Sequence, residues 1–261
     1  MISLSKEELS SLSEGSKISL DLHDISLKDL SIKNINLSGS DLSDSFFCGM
    51  IFKNINFSNI FAENVVFIKC SFQNCSFVGA RLPMSLFKDC DLSSADLTYA
   101  NFYKSIFRNI NFSGTIFRST SLVGCDLREA NLSNSKFRGA FLKNSFLEKA
   151  NLDHVNIEFS DLSFAILRKA SMSRTNCKGA SFFHTDLSGI NAPGANFSLA
   201  DMKECIITRA NMSDASFANA DIRGANFAGS FAVNSSLFAA ITDDKTNISS
   251  VTTSYSLSFD R

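Results

Sequence analysis

Ala130-Asn131-Leu132-Ser133-Asn134 is one five-residue unit of a pattern that runs through most of this 261-residue chain. Its leucine belongs to a column read every fifth residue from Leu22: Leu27, Ile32, Leu37, Leu42, Phe47, Phe52, Phe57 and onward to Leu237. Of 44 positions, 40 hold Leu, Phe, Ile or Met, the exceptions being Ala62, Cys177, Ala192 and Ala232, and the register never slips. Two residues earlier runs a second column, mostly small or β-branched, as at Ala95, Ala100, Ser105, Cys125, Ala130, Ala150, Ala180, Ala210, Ala220 and Ala225. Asp or Asn often stands between the two columns.

A period of five excludes ordinary helices and flat strands. On an α-helix five residues advance ~500°, so successive bulky residues diverge and no apolar stripe forms. On a straight strand an odd period sends them to alternate faces. All of them point inward only if the chain turns once per pentad. One such coil buries little alone, so burial comes from stacking on its neighbours.

The pattern resembles the pentapeptide-repeat family, written A(D/N)LXX, over residues 18–240. The resemblance implies an all-β fold, a right-handed quadrilateral parallel β-helix with four pentads per coil, both columns facing inward. A column that the family pattern leaves free carries the same four-fold count. The residue before each central one, taken every twentieth place, reads Ser26, Phe46, Val66, Leu86, Ile106, Asp126, Phe146, Ile166, Asp186, Ile206, Asn226. Seven of these 11 are strongly apolar, against five of 33 in the three companion columns. Four pentads per coil convert 44 pentads into about eleven coils, roughly 50 Å of stack at the inter-strand spacing.

The ends read differently. Ser5-Lys6-Glu7-Glu8 is a capping box followed by Leu9 and Leu12, so residues 1–17 are expected as a short helical cap on the first coil. Residues 241–261 are Ser- and Thr-rich and are expected as a C-terminal cap or tail. Phenylalanines gather between Phe47 and Phe117, whereas Met172, Cys177, Ala192, Met202 and Met212 fill the later column, which predicts a looser second half.

Composition narrows function. With 25 basic and 26 acidic side chains the net charge is −1, which points to neither direct nucleic-acid binding nor polyanion mimicry. No run approaches the ~20 apolar residues of a membrane-spanning helix, and no secretory signal is visible. Seven cysteines without metal-ligand spacing fit a reducing compartment, the bacterial cytoplasm or a host cell reached through a secretion system. His23, His154 and His184 are far apart along the stack, and no triad, metal set or phosphate loop accompanies them, so an enzyme and a cofactor are not expected. Cys70 and Cys90 fall on one face of adjacent coils, where cysteine most simply serves as a small buried filler.

What remains is the outer surface. One face should carry Phe46, Val66, Leu86, Ile106, Phe146 and Ile166 together with Lys88, Arg108, Arg128 and Arg168. The face before it adds Tyr103, Phe141, Phe164 and Phe183, while the other two faces carry mainly Asn, Ser, Thr and Asp. A one-sided apolar patch marks an interface: a protein partner, a homodimer, or an anionic membrane surface suited to apolar plus basic groups. The resemblance also brings two family roles into view. One is a bacterial effector whose repeat serves as a binding scaffold. The other is a DNA-mimicking protein that binds gyrase and gives quinolone protection. Near-neutral charge sets the second behind the first.

Overall fold

The computed structural model describes residues 21–253, and these form an all-β parallel solenoid. Eight three-residue strands make its regular part: β1 Ser26–Lys28, β2 Ser31–Lys33, β3 Phe46–Cys48, β4 Ile51–Lys53, β5 Val66–Ile68, β6 Ser71–Gln73, β7 Leu86–Lys88 and β8 Ile106–Arg108. They pair in parallel as one five-stranded sheet, β1-β3-β5-β7-β8, and one three-stranded sheet, β2-β4-β6. Every pairing joins a residue to the one 20 places on, as in Phe46↔Val66, Val66↔Leu86 and Leu86↔Ile106, so the regular strands cover about four turns. Past Arg108 the same spacing continues as single-residue bridges on all four sides, among them Ile106↔Asp126, Asn111↔Asn131, Ile116↔Lys136 and Ser121↔Phe141.

The final bridges, Asn226↔Asn247 and Phe231↔Thr252, are 21 residues apart, so one extra residue enters between Ile241 and Asn247. Pairing thus reaches into the segment expected as a cap or tail. The helical cap expected over residues 1–17 lies outside the described residues, among which there is no helix.

Side-chain chemistry bears on where strands stop, although Phe146 and Ile166, both apolar, still meet as a single-residue bridge. An Asp or Asn before the central residue turns its side-chain oxygen onto the backbone N–H two residues on. Ser43 N–H donates to Asp41 (2.9 Å), Ser93 N–H to Asp91 (2.9 Å) and Ser58 N–H to Asn56 (2.9 Å). These local turns compete with extended pairing, and none of the eight strands begins with Asp or Asn. Where Phe, Val, Leu or Ile takes that place, as in β3, β5, β7 and β8, the acceptor is gone and β-favouring side chains extend the ladder.

The corners obey one rule. In all 44 pentads the residue two places after the central one has positive φ, from Asp24 (56°) to Ala239 (53°), and 11 of them are glycine. That left-handed residue turns the chain through one corner per pentad, four to each twenty-residue coil, which is what lets both apolar columns face inward.

The core is apolar and layered. Phe47, Phe67, Phe87 and Phe107 stack coil upon coil with ring centroids 5.0, 4.9 and 5.4 Å apart. Hydroxyls in the small column are satisfied internally: Ser45 Oγ donates to Leu22 O (2.6 Å) and Ser105 Oγ to Leu82 O (2.7 Å), the carbonyl of the central residue one coil before. Met172, Cys177, Ala192 and Met202, the smaller fillers of the later column, are as fully buried as the phenylalanines, all at 0% exposure. At the C-terminal end Met212, Phe217, Ile222, Phe227, Leu237 and Val251 line a small cavity of ≈ 20 Å³.

Candidate interaction surface

Parallel pairing aligns the expected surface residues directly. Phe46, Val66, Leu86 and Ile106 follow one another up one ladder; the first three are half-buried and Ile106 is exposed. Asp126 comes next, then Phe146 (exposed) and Ile166 (half-buried), then Asp186. Backbone hydrogen bonds on both sides hold these residues, so the side chains stand on a fixed frame.

The basic component differs from expectation. Asp126 and Asp186 are buried, at 8% and 9% exposure, and both capture arginines. Arg128 grips Asp126 through two bonds, Nε–Oδ1 2.8 Å and Nη2–Oδ2 2.6 Å, and Arg108 Nη2 adds a third contact at 3.2 Å. Arg168 Nε binds Asp186 Oδ2 at 2.6 Å. Burial pushes the Asp126 carboxyl up, but hydrogen bonds from Arg128 and the charges of Arg128 and Arg108 outweigh it and leave its pKa below the usual value. Asp186 behaves alike: burial opposes, while bonds from Ser188 and Arg168 prevail. Glu148 stands in the same column between Arg128 and Arg168; its Oε2 is buried with no hydrogen-bond partner, yet its charge acts on both arginines. Arg108, Asp126, Arg128, Glu148, Arg168 and Asp186 therefore form a ladder of balanced charge. Of the expected cations, Lys88 stands exposed outside it. The signal was legible, since each aspartate lies two places before, or eighteen after, its arginine.

On the preceding side Tyr103 is exposed, with Lys104 Nζ 5.1 Å from its ring centre. Phe164 and Phe183 meet edge to face at 5.5 Å, and His184 packs against both, at 5.3 and 4.3 Å, while its Nε2 lies 2.8 Å from Glu204 Oε2. Phe141 is exposed but isolated, bridged to Ser121 and Asp161. The structure thus assembles the Phe46–Ile106 ladder and the Phe164–Phe183 pair, and leaves Phe141 apart. It also adds residues that the face-by-face reading missed. Tyr99, Phe159 and Leu199 are exposed at 64, 53 and 54%, all on one corner at multiples of twenty residues. The guanidinium of Arg138 lies 4.9 Å from the Phe159 ring centre. The two other faces are not wholly polar, because Ile51 and Phe231 are exposed there.

Among the described residues no group of three or more His, Cys, Asp or Glu could hold a metal ion, and no helix is long and apolar enough to cross a membrane.

With this architecture in view, sequence comparison gives the family. The pentapeptide repeat region family matches residues 80–159, and pentapeptide repeats (8 copies) match residues 52–82, 150–189, 160–198 and 195–231. The chain belongs to the pentapeptide-repeat family. A search of curated protein sequences finds no match. Among solved structures it is similar to HetL, a pentapeptide repeat protein involved in heterocyst differentiation regulation in the cyanobacterium Nostoc sp. strain PCC 7120. Identity is 23%, covering 85% of this chain and 90% of HetL, with a TM-score of 0.41. It is also similar to QnrB1, a plasmid-mediated fluoroquinolone resistance protein, at 18% identity over 87% of this chain and 90% of that one, TM-score 0.41.

Proposed function

We propose that this protein is a non-enzymatic scaffold, about eleven right-handed coils long, that binds a protein partner through its apolar side. One observation carries the reading: apolar ladder residues stand on a rigid frame while the arginines beside them are already closed by Asp126 and Asp186. Paired cations offer little to lipid phosphates, whereas fixed apolar side chains with a polar rim suit a protein surface. A second copy of the chain is the simplest such partner, and an anionic membrane ranks behind both. The seven free thiols fit a reducing setting, the bacterial cytoplasm or a host cell entered as an effector.

The test compares wild type with Leu86→Asp/Ile106→Asp and, as a control on another face, Asn131→Asp/Asn151→Asp, each verified as folded by circular dichroism. Sedimentation velocity reads self-association, flotation with anionic liposomes reads lipid binding, and affinity capture reads a protein partner. Association or capture lost only in the Leu86/Ile106 variant supports the reading. Equal behaviour of all three proteins overturns it.

A further inference from the structure

Cys70 and Cys90 are 20 residues apart, and no other two of the seven cysteines share that spacing. They occupy one position of the small inward column in adjacent coils, between Met50 below and Ile110 above, beside the bridge Ser71↔Asp91. Cys70 N–H donates to Cys90 Sγ at 3.4 Å. Each thiol also donates to backbone carbonyls in the same way: Cys70 to Ile68 O (3.4 Å) and Phe47 O (3.5 Å), Cys90 to Lys88 O (3.3 Å) and Phe67 O (3.5 Å). Equivalent backbone acceptors one coil apart hold the two sulfurs one above the other. Adjacent coils lie about 4.8 Å apart, within the roughly 4.4–6.8 Å Cα separation that disulfides span.

We propose that Cys70 and Cys90 form a peroxide-sensitive dithiol that closes into a disulfide linking two coils. The Cys70 thiolate attacks the peroxide; an S–O bond forms, the O–O bond breaks, and the departing oxygen takes a proton and leaves as water. Cys90 sulfur then attacks the Cys70 sulfenic acid. The S–S bond forms as the S–O bond breaks, and hydroxide leaves with the Cys90 proton as a second water. Hydrogen peroxide is reduced by the two electrons that the thiols lose, so the step balances.

Cys70 is assigned the first attack because Cys90 Sγ is already held by the Cys70 N–H at 3.4 Å, and the electrostatics agree in direction: the neighbouring Cys90 side chain lowers the Cys70 thiol, whereas Cys70 and burial push Cys90 up. The remaining buried thiols have no stacked sulfur partner, and burial raises Cys75 and Cys125 to about 12. Cys70, Cys75 and Cys90 keep 2%, 3% and 3% exposure, against 0% for Cys125 and Cys177 and 1% for Cys205, and of these three only Cys70 and Cys90 are stacked on one another. Serine is already housed at equivalent places, as at Ser85 and Ser105, so single Cys→Ser variants should fold.

The experiment treats the native full chain with hydrogen peroxide, blocks free thiols with N-ethylmaleimide after denaturation, and maps peptides by mass spectrometry. The expected product is a Cys70–Cys90 linked peptide two hydrogens lighter, with a raised Tm that dithiothreitol reverses. In Cys90→Ser the expected product is a Cys70 sulfenic acid trapped by dimedone. If both residues still carry maleimide at peroxide doses that oxidise the half-buried Cys48, the proposal is overturned. It is equally overturned if Cys70 pairs indiscriminately with Cys48 or Cys75.

Discussion

At the residue scale the fold depends on the corner residues. An L-residue in the left-handed region costs roughly 1–2 kcal/mol, and Asn, Asp and Gly relieve that strain at many corners, such as Asn54, Asp89 and Gly139. Gly179 carries a second duty. A Cβ placed there would come within 2.7 Å of Phe159 Cε1 in the coil before, whereas a Cβ at Gly139 would meet only Ser119 Oγ at 3.7 Å. Gly139→Ala should therefore lose about 1 kcal/mol in urea unfolding and Gly179→Ala about 2 kcal/mol or more. Adding Phe159→Ala to Gly179→Ala should bring the loss back toward that of Gly139→Ala. Equal losses for the two glycine variants would show that ring contact plays no part.

At the scale of the ladder, the surface is as much an electrostatic structure as an apolar one. Asp126 has a folded pKa below its ordinary value, so its ionised form is favoured by folding. The sign follows: its contribution is fully present above the unfolded carboxylate pKa of about 4 and disappears as pH falls through the lower folded value. Urea midpoints of wild type and Asp126→Asn should differ most at neutral pH and converge as pH falls below the ordinary carboxylate range. A difference that does not change with pH would mean that the charge of Asp126 contributes nothing. The spacing of Arg108, Arg128 and Arg168 to one another suggests a basic stripe, and their spacing to Asp126 and Asp186 cancels it.

For the whole molecule, the repeat makes length adjustable in steps. Each coil contacts its neighbours, so stability is nearly a sum over coils and their interfaces. Deleting residues 191–210 removes 20 residues and should leave a cooperatively unfolding protein with the Phe46–Ile166 side intact. Deleting only residues 191–193 shifts the downstream pattern by three and sets Ala195, Ala200 and Ala210 where large central residues belong. That variant should lose proteolytic protection beyond residue 190 while the earlier coils keep theirs. Equal protection in both deletions would refute register control. The chain's own accommodation of one extra residue between Ile241 and Asn247 sits at the end, where only a last partial layer must adapt.

The sequence by itself determined the solenoid, the two inward columns and the face on which apolar residues collect, because inward packing at a period of five admits only a chain that turns every pentad. The twenty-residue register was legible for the same reason, in Phe46, Val66, Leu86 and Ile106. The sequence spacing also placed Asp126 and Asp186 beside their arginines, but only the tertiary structure decided the geometry of those ion pairs, which corner residues join the apolar side, and that Cys70 and Cys90 share a hydrogen bond. Those depend on side-chain reach between coils, where distances of a few ångströms separate an exposed arginine from one already bound, and no linear spacing specifies the rotamer that makes the contact.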